Sequence, residues 1–411
     1  MTTLALHAPL VAPAARRSLT HTLALALVWL TVASGAVVFS EPAVIDVLTM
    51  GLLALLPVVG LVSVTPALLV LLAAMLVAAA AAFIAATGAI DIGAAVSHTS
   101  VSLYLYAATF VFAAFVAKRP GPHARLILGA YLWAATAAAL AGIAGYLDLV
   151  SGAHELLTRW GRAAGFFKDP NVFGSFLVPA FVFALSRLTG RPQRRRALPL
   201  LVLLVLGLAI LLSFSRGAWL NLGVAAGVYA LLSFATAPTN RTRLKVAALG
   251  VAGAATLGAL LVAALQFDEV ANLFDERAAL MQSYDEGPEG RFGGQERAAR
   301  LIVQYPLGIG AQQFVPHHHH EEPHNVYLAM FLNAGWLGGL IFLGLVGTTA
   351  AHGFRHAFTR AAAQPLFLVA YACFLGNMVE GLIVDIDHWR HFYLLLALVW
   401  GNMLARREAQ A

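Results

Sequence analysis

The sequence is short of charge and nearly devoid of cysteine. Of 411 residues, only 11% are Asp, Glu, Lys or Arg, and Cys373 is the one thiol. A single cysteine excludes an internal disulfide framework and a thiolate metal cage. The scarcity of charge excludes an ordinary water-soluble domain, in which roughly a quarter of the residues are charged. Apolar residues make up 60% of the chain. They come in runs of about 20, the length an α-helix needs to cross a hydrocarbon core some 30 Å thick. In hydrocarbon each segment must satisfy its own backbone polar groups, which favours helices. The fold class read from this is all-α: a polytopic membrane protein with a single membrane domain over 1–411.

Apolar windows occur near 20–39, 43–62, 66–87, 100–117, 124–147, 171–188, 198–213, 218–236, 246–266, 325–350, 364–384 and 391–405. The first follows Arg16 and Arg17 and resembles a signal peptide. It is long enough to span and many more follow, so it reads as the first of about 12 transmembrane helices. An even number puts both termini on one side. Cytoplasmic loops are enriched in Lys and Arg. With the termini inside, 17 of the 26 basic residues fall on the inner side and 9 on the outer, while Glu408 is the only inner acid. The net charge of +6 is therefore anchoring charge, and it implies no nucleic-acid partner. One long polar segment, 267–323, becomes an outer loop between the ninth and tenth helices.

Nine basic residues lie outside against that preference: Arg159, Arg162, Lys168, Arg216, Arg277, Arg291, Arg297, Arg300 and Arg390. Ordinary surface pairing with the many outer acids accounts for Arg277, Arg297 and Arg300. The others fall near distinctive motifs. GRAAGFFKDPN (161–171) leads into the sixth helix, SRGAWL (215–220) into the eighth and EPHN (322–325) into the tenth. On this topology all three helices begin at the outer face, with unpaired N–H groups and the positive end of a helix dipole. Asp169 can cap the first of them, with Pro170 at its first helical position. With Arg162, Arg216 and Arg291, this face suits a polyanion. The planar guanidinium fork donates two parallel hydrogen bonds to phosphate and stays charged. A lipid-linked diphosphate, tail in the bilayer and headgroup outside, fits the place; snorkelling to the interface is the plainer role for such arginines.

His324 stands where the outer loop returns to apolar sequence. The helix dipole should disfavour its protonation, leaving a neutral imidazole able to act as general base. Gly335, eleven residues on, would lie about three helical turns below on the same face, and with Gly339 it forms a small-xxx-small packing pair. His317 to His320 are consecutive, and adjacent positions rarely converge on one tetrahedral metal, so they read as loop and no metal site is expected. Asp46 and Glu380 read as interfacial acids. Glu380 with Asp385, Asp387 and His388 would form an acidic rim facing an acceptor.

Together these motifs resemble the O-antigen ligase and polymerase superfamily of bacterial membrane glycosyltransferases, over roughly Arg159 to Gly339. Arg216-x3-Leu220 is similar to the family's Arg-x3-Leu motif. His324-Asn325-x9-Gly335 is similar to its His-Asn-x9-Gly motif. Arg291 precedes PLGIG (306–310) as an arginine does in the family, and Arg162 with Gly165 matches the lead-in to a middle helix. The run PHHHHEEP is a departure from the pattern. The resemblance implies a GT-C-like fold and metal-independent transfer without a cofactor, at the outer, periplasmic face of the bacterial inner membrane. The donor would be a glycan on undecaprenyl diphosphate and the acceptor a lipid A–core sugar (ligase) or a growing glycan (polymerase). Arg162, Arg216 and Arg291, with Arg159 as a further candidate, would contact the diphosphate. His324 would be the base, supported by Asn325 and Gly335. A transporter would carry a duplicated half and midplane charges, and the sequence has neither.

Overall fold

The computed structural model describes residues 18–189, 197–266, 287 and 290–405. Arg277, the Arg16-Arg17 pair, residues 190–196 of the basic stretch 187–196, and the terminal Arg406, Arg407 and Glu408 lie outside these residues. Fifteen helices are described, in chain order: α1 (Leu19–Ser34), α2 (Val44–Val58), α3 (Pro66–Thr87), α4 (Ile92–Lys118), α5 (Pro120–Tyr146), α6 (Ala153–Leu157), α7 (Pro170–Thr189), α8 (Ala197–Leu212), α9 (Arg216–Thr236), α10 (Asn240–Ala264), α11 (Arg291–Gln304), α12 (Phe314–His317), α13 (Val326–Ala357), α14 (Gln364–Glu380) and α15 (Arg390–Met403).

Each apolar window coincides with a helix. Among the described residues, seven of these are long and apolar enough to cross a membrane: α3, α4, α5, α7, α9, α10 and α13. α1, α2 and α8 are apolar but only 15 to 16 residues long, and α14 and α15 have 17 and 14. At 1.5 Å per residue the shortest covers about 21 Å.

Local chemistry sets many of the helix starts. Thr65, Asp91, Ser215, Thr239 and Asn325 each accept backbone N–H bonds from the first turn that follows, as N-caps do. α15 packs along α4, α14 along α9, and α13 along α3. One apolar core runs through the bundle, with Phe115, Phe173, Phe367 and Phe374 fully enclosed. The all-α expectation needs one amendment. Thr158–Arg159 (β1) and Arg162–Ala163 (β2) pair as an antiparallel hairpin, turned by Trp160 and Gly161, both at positive φ. Such two-residue turns match the twist of the strands they join.

Gly335 corrects the helical-face argument. It does not lie one face below His324, because the helix breaks there: Gly335 has φ 62° and ψ −169°, a region open essentially to glycine alone. The break leaves backbone groups unpaired, and the PLGIG turn takes them. Trp336 N–H donates to the Pro306 carbonyl at 2.8 Å, and Ile309 N–H to the Leu332 carbonyl at 2.9 Å. A methyl on Gly335 would lie 2.5 Å from the Leu307 carbonyl carbon. Gly335 and PLGIG, separate motifs in the sequence, form one joint.

Gly335→Ala should therefore lower stability by about 2 kcal/mol or more, read as a fall in unfolding temperature of the detergent-purified protein. An unchanged transition would show that the joint relaxes freely.

Candidate active site

α7, α9, α11 and α13 begin around one cavity, with about 370 Å³ open to water, lined by Arg162, Arg216, Arg291, His324, Glu321, Glu322, Asn171 and Asp385 among others. The three arginines and the histidine singled out by sequence thus meet in one place, although 162 residues separate the first from the last.

Each is delivered differently. Arg162 sits on β2, 6% exposed. Its Nε donates to the Ser213 carbonyl at 2.7 Å and its Nη2 to Asn171 Oδ1 at 2.8 Å. It ties the start of α7 to the turn before α9. Asp169 caps α7 as anticipated, its Oδ1 accepting the Asn171 N–H at 2.7 Å behind Pro170. Arg216 and Arg291 are the first residues of α9 and α11. A cation there opposes the helix dipole, so both helix starts favour an anion between them. Arg159 is placed elsewhere. Its guanidinium donates to the carbonyls of Glu155, Leu156 and Thr158, outside the cavity lining.

Asn325, not His324, is the cap of α13. Its side chain accepts the N–H groups of Tyr327 and Leu328 at 3.1 and 3.2 Å and donates to the Leu382 carbonyl at 3.2 Å. His324 precedes it in left-handed backbone, φ 49°. That conformation is uncommon for histidine. Asp385 holds it: one carboxylate oxygen accepts the His324 N–H at 3.0 Å and the other the Asn325 N–H at 2.9 Å. The His324 ring lies between acids, Nε2 3.9 Å from Glu321 and Nδ1 3.9 Å from Asp385, with about a third of the side chain exposed.

Asp385, which the sequence placed only in a rim, is the residue that holds the His324 backbone. Its one visible signal was an acid between two apolar windows. Burial pushes its carboxyl up to about 8, and the nearby Asp387 and Glu322 charges add to this, against the two N–H bonds. Burial would raise Asp387 too, but the His98 hydrogen bond and the His388 charge hold it down at about 2. Glu380 does not belong to the rim. It is fully buried, accepting from Ser175 Oγ at one oxygen and from Asn221 Nδ2 at the other, 2.8 Å away. Asp46 is likewise satisfied, in a bidentate pair with Arg390 at 2.7 Å, which accounts for one of the outer arginines. Arg300 pairs with Glu296 one turn away.

The histidine run does not gather its ring nitrogens. His319 is buried against Gly294 and bonded through Nδ1 to the Glu321 backbone. Among the described residues, metal-ligand atoms come together instead in His98, Asp387 and His388, within 4.8 Å of one another. The two imidazoles there stack in near-parallel planes, 3.7 Å between centroids and 18° apart. Parallel rings aim their in-plane lone pairs alongside each other, not at a common point, and the arrangement as it stands is a hydrogen-bonded stack.

Residues 200–343 match the family model described as O-antigen ligase. Over that stretch the chain is similar to the O-antigen ligase family. Members of that family are glycosyltransferase-like enzymes. The matched stretch contains Arg216, Arg291, His324, Asn325 and Gly335, whereas Arg162 and Asp385 reach the cavity from before and after it. No curated protein matches the chain.

Asp385 also carries a pH signature. Its folded-state value near 8 lies above the ordinary 3.8, so the folded protein holds a proton that the unfolded chain releases. Its contribution to stability is full below about pH 4 and is lost as pH rises towards 8. Asp385→Asn should flatten the fall in unfolding temperature between pH 5 and about pH 8. A slope identical to wild type would remove Asp385 as its source.

Proposed function

We propose that the protein is a metal-independent membrane glycosyltransferase that moves a glycan from undecaprenyl diphosphate to a lipid A–core acceptor, an O-antigen ligase reaction. The observation that carries this reading is the convergence of Arg162, Arg216 and Arg291 with His324 on one cavity. In this reading all twelve apolar helices span the bacterial inner membrane in a GT-C-like arrangement. Both termini are cytoplasmic, and the cavity opens to the periplasm.

The arginines bind the diphosphate of the donor, their positive charge supplemented by the starts of α9 and α11. The acceptor hydroxyl gives its proton to the His324 imidazole as its oxygen attacks the anomeric carbon. The bond from that carbon to the phosphate oxygen breaks, and undecaprenyl diphosphate leaves with the electron pair, its developing charge held by the same arginines. Glu321, 3.9 Å from Nε2, stabilises the imidazolium until the proton passes to solvent. Asp385, through the two backbone N–H groups, fixes where the ring points. A polymerase would use the same donor chemistry with a lipid-linked glycan as acceptor.

Purified protein given a lipid-diphosphate glycan should release undecaprenyl diphosphate, with core lipid as the productive acceptor. Release only when further donor serves as acceptor would make it a polymerase, and release with neither would end both readings. His324→Ala should cut turnover by about 10²-fold or more with donor affinity nearly intact. Turnover at the wild-type rate would dismiss the base.

Arg216→Ala and Arg291→Ala should weaken donor capture, and lysine at either position should not restore it fully, since an ammonium lacks the bidentate fork. Chelators should leave turnover unchanged. Inhibition by a chelator would bring the His98 cluster back as a metal site.

A further inference from the structure

Beside the arginine-lined cavity lies a second one, with about 290 Å³ open to water, that shares Asp169 and Trp389 with it. Its walls come from α1, α2, α4, α5, α7 and α15 and are largely apolar, with Val32, Leu105, Ala108, Phe112, Phe176 and Leu394 among them. Along α4 it runs from Tyr104 to Phe112, roughly 12 Å at 1.5 Å per residue. Glu41, Lys168 and Arg390 stand where it meets the loops, and Arg390 is held there by Asp46.

One residue does not suit a purely hydrocarbon slot. His391, the second residue of α15, lines the cavity, is only 4% exposed, and its Nε2 has no hydrogen-bond partner. Its ring neighbours are Phe176 and Trp389. A buried polar nitrogen without a partner is costly and uncommon. A ligand that places an acceptor oxygen there, just inside the mouth, and a saturated chain below it removes that cost.

We propose that this cavity takes an acyl chain of the lipid acceptor, whose ester or amide carbonyl accepts a hydrogen bond from His391. The proposal rests on the glycosyl-transfer reading and sharpens it. A polyprenyl tail is hydrocarbon throughout beyond its phosphates, so it would match the walls and leave His391 unpaired. An acylated lipid matches both. The shared Asp169 and Trp389 then set the acceptor's headgroup next to the diphosphate cavity, so the two substrates meet headgroup to headgroup. The acceptor would be an acylated lipid and not a polyprenyl-linked glycan.

Two variants test this on the full-length protein. Ala108→Trp fills the slot, and His391→Phe keeps the ring but removes the nitrogen. With acylated lipid A–core as acceptor, each should raise its KM about 10-fold while donor Kd stays within about twofold. With the deacylated acceptor, wild type and His391→Phe should be equally poor. Native mass spectrometry separates the proposal from the reading beneath it. Wild type should retain acylated lipid A and His391→Phe should lose it, whether or not turnover is seen. Loss of undecaprenyl phosphate instead would overturn the proposal in favour of the donor tail, and unchanged binding and KM in both variants would overturn it outright.

Discussion

A backbone N–H at the start of a membrane helix has no helical partner, and in apolar surroundings it must find one. Much of the candidate site is arranged by how these groups are satisfied. Asp169 caps α7, Ser215 caps α9, and Asn325 caps α13. Asp385 accepts the next two N–H groups outward, those of His324 and Asn325. The same bonds that complete the helix starts therefore set the backbone of the histidine and bring it to the cavity. At α9 and α11 the first residue is an arginine, which adds to the positive end of the dipole instead of offsetting it. Two such placements on one cavity concentrate positive charge at the edge of an apolar bundle, beside the acids Glu321, Glu322 and Asp385.

A second constraint is the break at Gly335. A continuous α13 would consume the Leu332 carbonyl and the Trp336 N–H internally. With the helix interrupted, the segment after α11 bonds to both. That joint anchors the C-terminal end of α11 against α13, so the helix that starts with Arg291 is tied to the one that follows His324. Spacing between motifs in the chain becomes distance between side chains in the cavity through this contact.

Much of this was legible beforehand for simple reasons. Hydrocarbon enforces long apolar runs, so all twelve windows correspond to helices. Caps use few residue types, so Asp169-Pro170 announced one helix start. Arginines on the wrong side of a membrane stand out against the charge bias, and Arg162, Arg216 and Arg291 were found that way. Sequence says least where a residue's role depends on what it meets. Arg159 carries the same charge as Arg162, but the turn of the hairpin directs it to the carbonyls of α6. Glu380 looked like a rim acid by its nearness to the window's end, whereas packing of α14 on α9 buries it beneath Gly217. Gly335 looked helical because its neighbours are, and no periodicity reveals a single residue at φ 62°.

The sequence by itself determined the class of the protein, the positions of its membrane helices and the list of charged side chains that need an explanation. These follow from composition and from local bonds, within one helix or one turn, which do not depend on the rest of the chain. Tertiary structure alone decided that Arg162, Arg216, Arg291 and His324 share a cavity, that Asp385 holds the histidine from 61 residues away, and that a histidine-bearing apolar slot adjoins the arginines. Those are contacts between helices far apart in the chain. They arise from which faces pack together, and amphipathic patterns are too weak to reveal that when nearly every face is apolar.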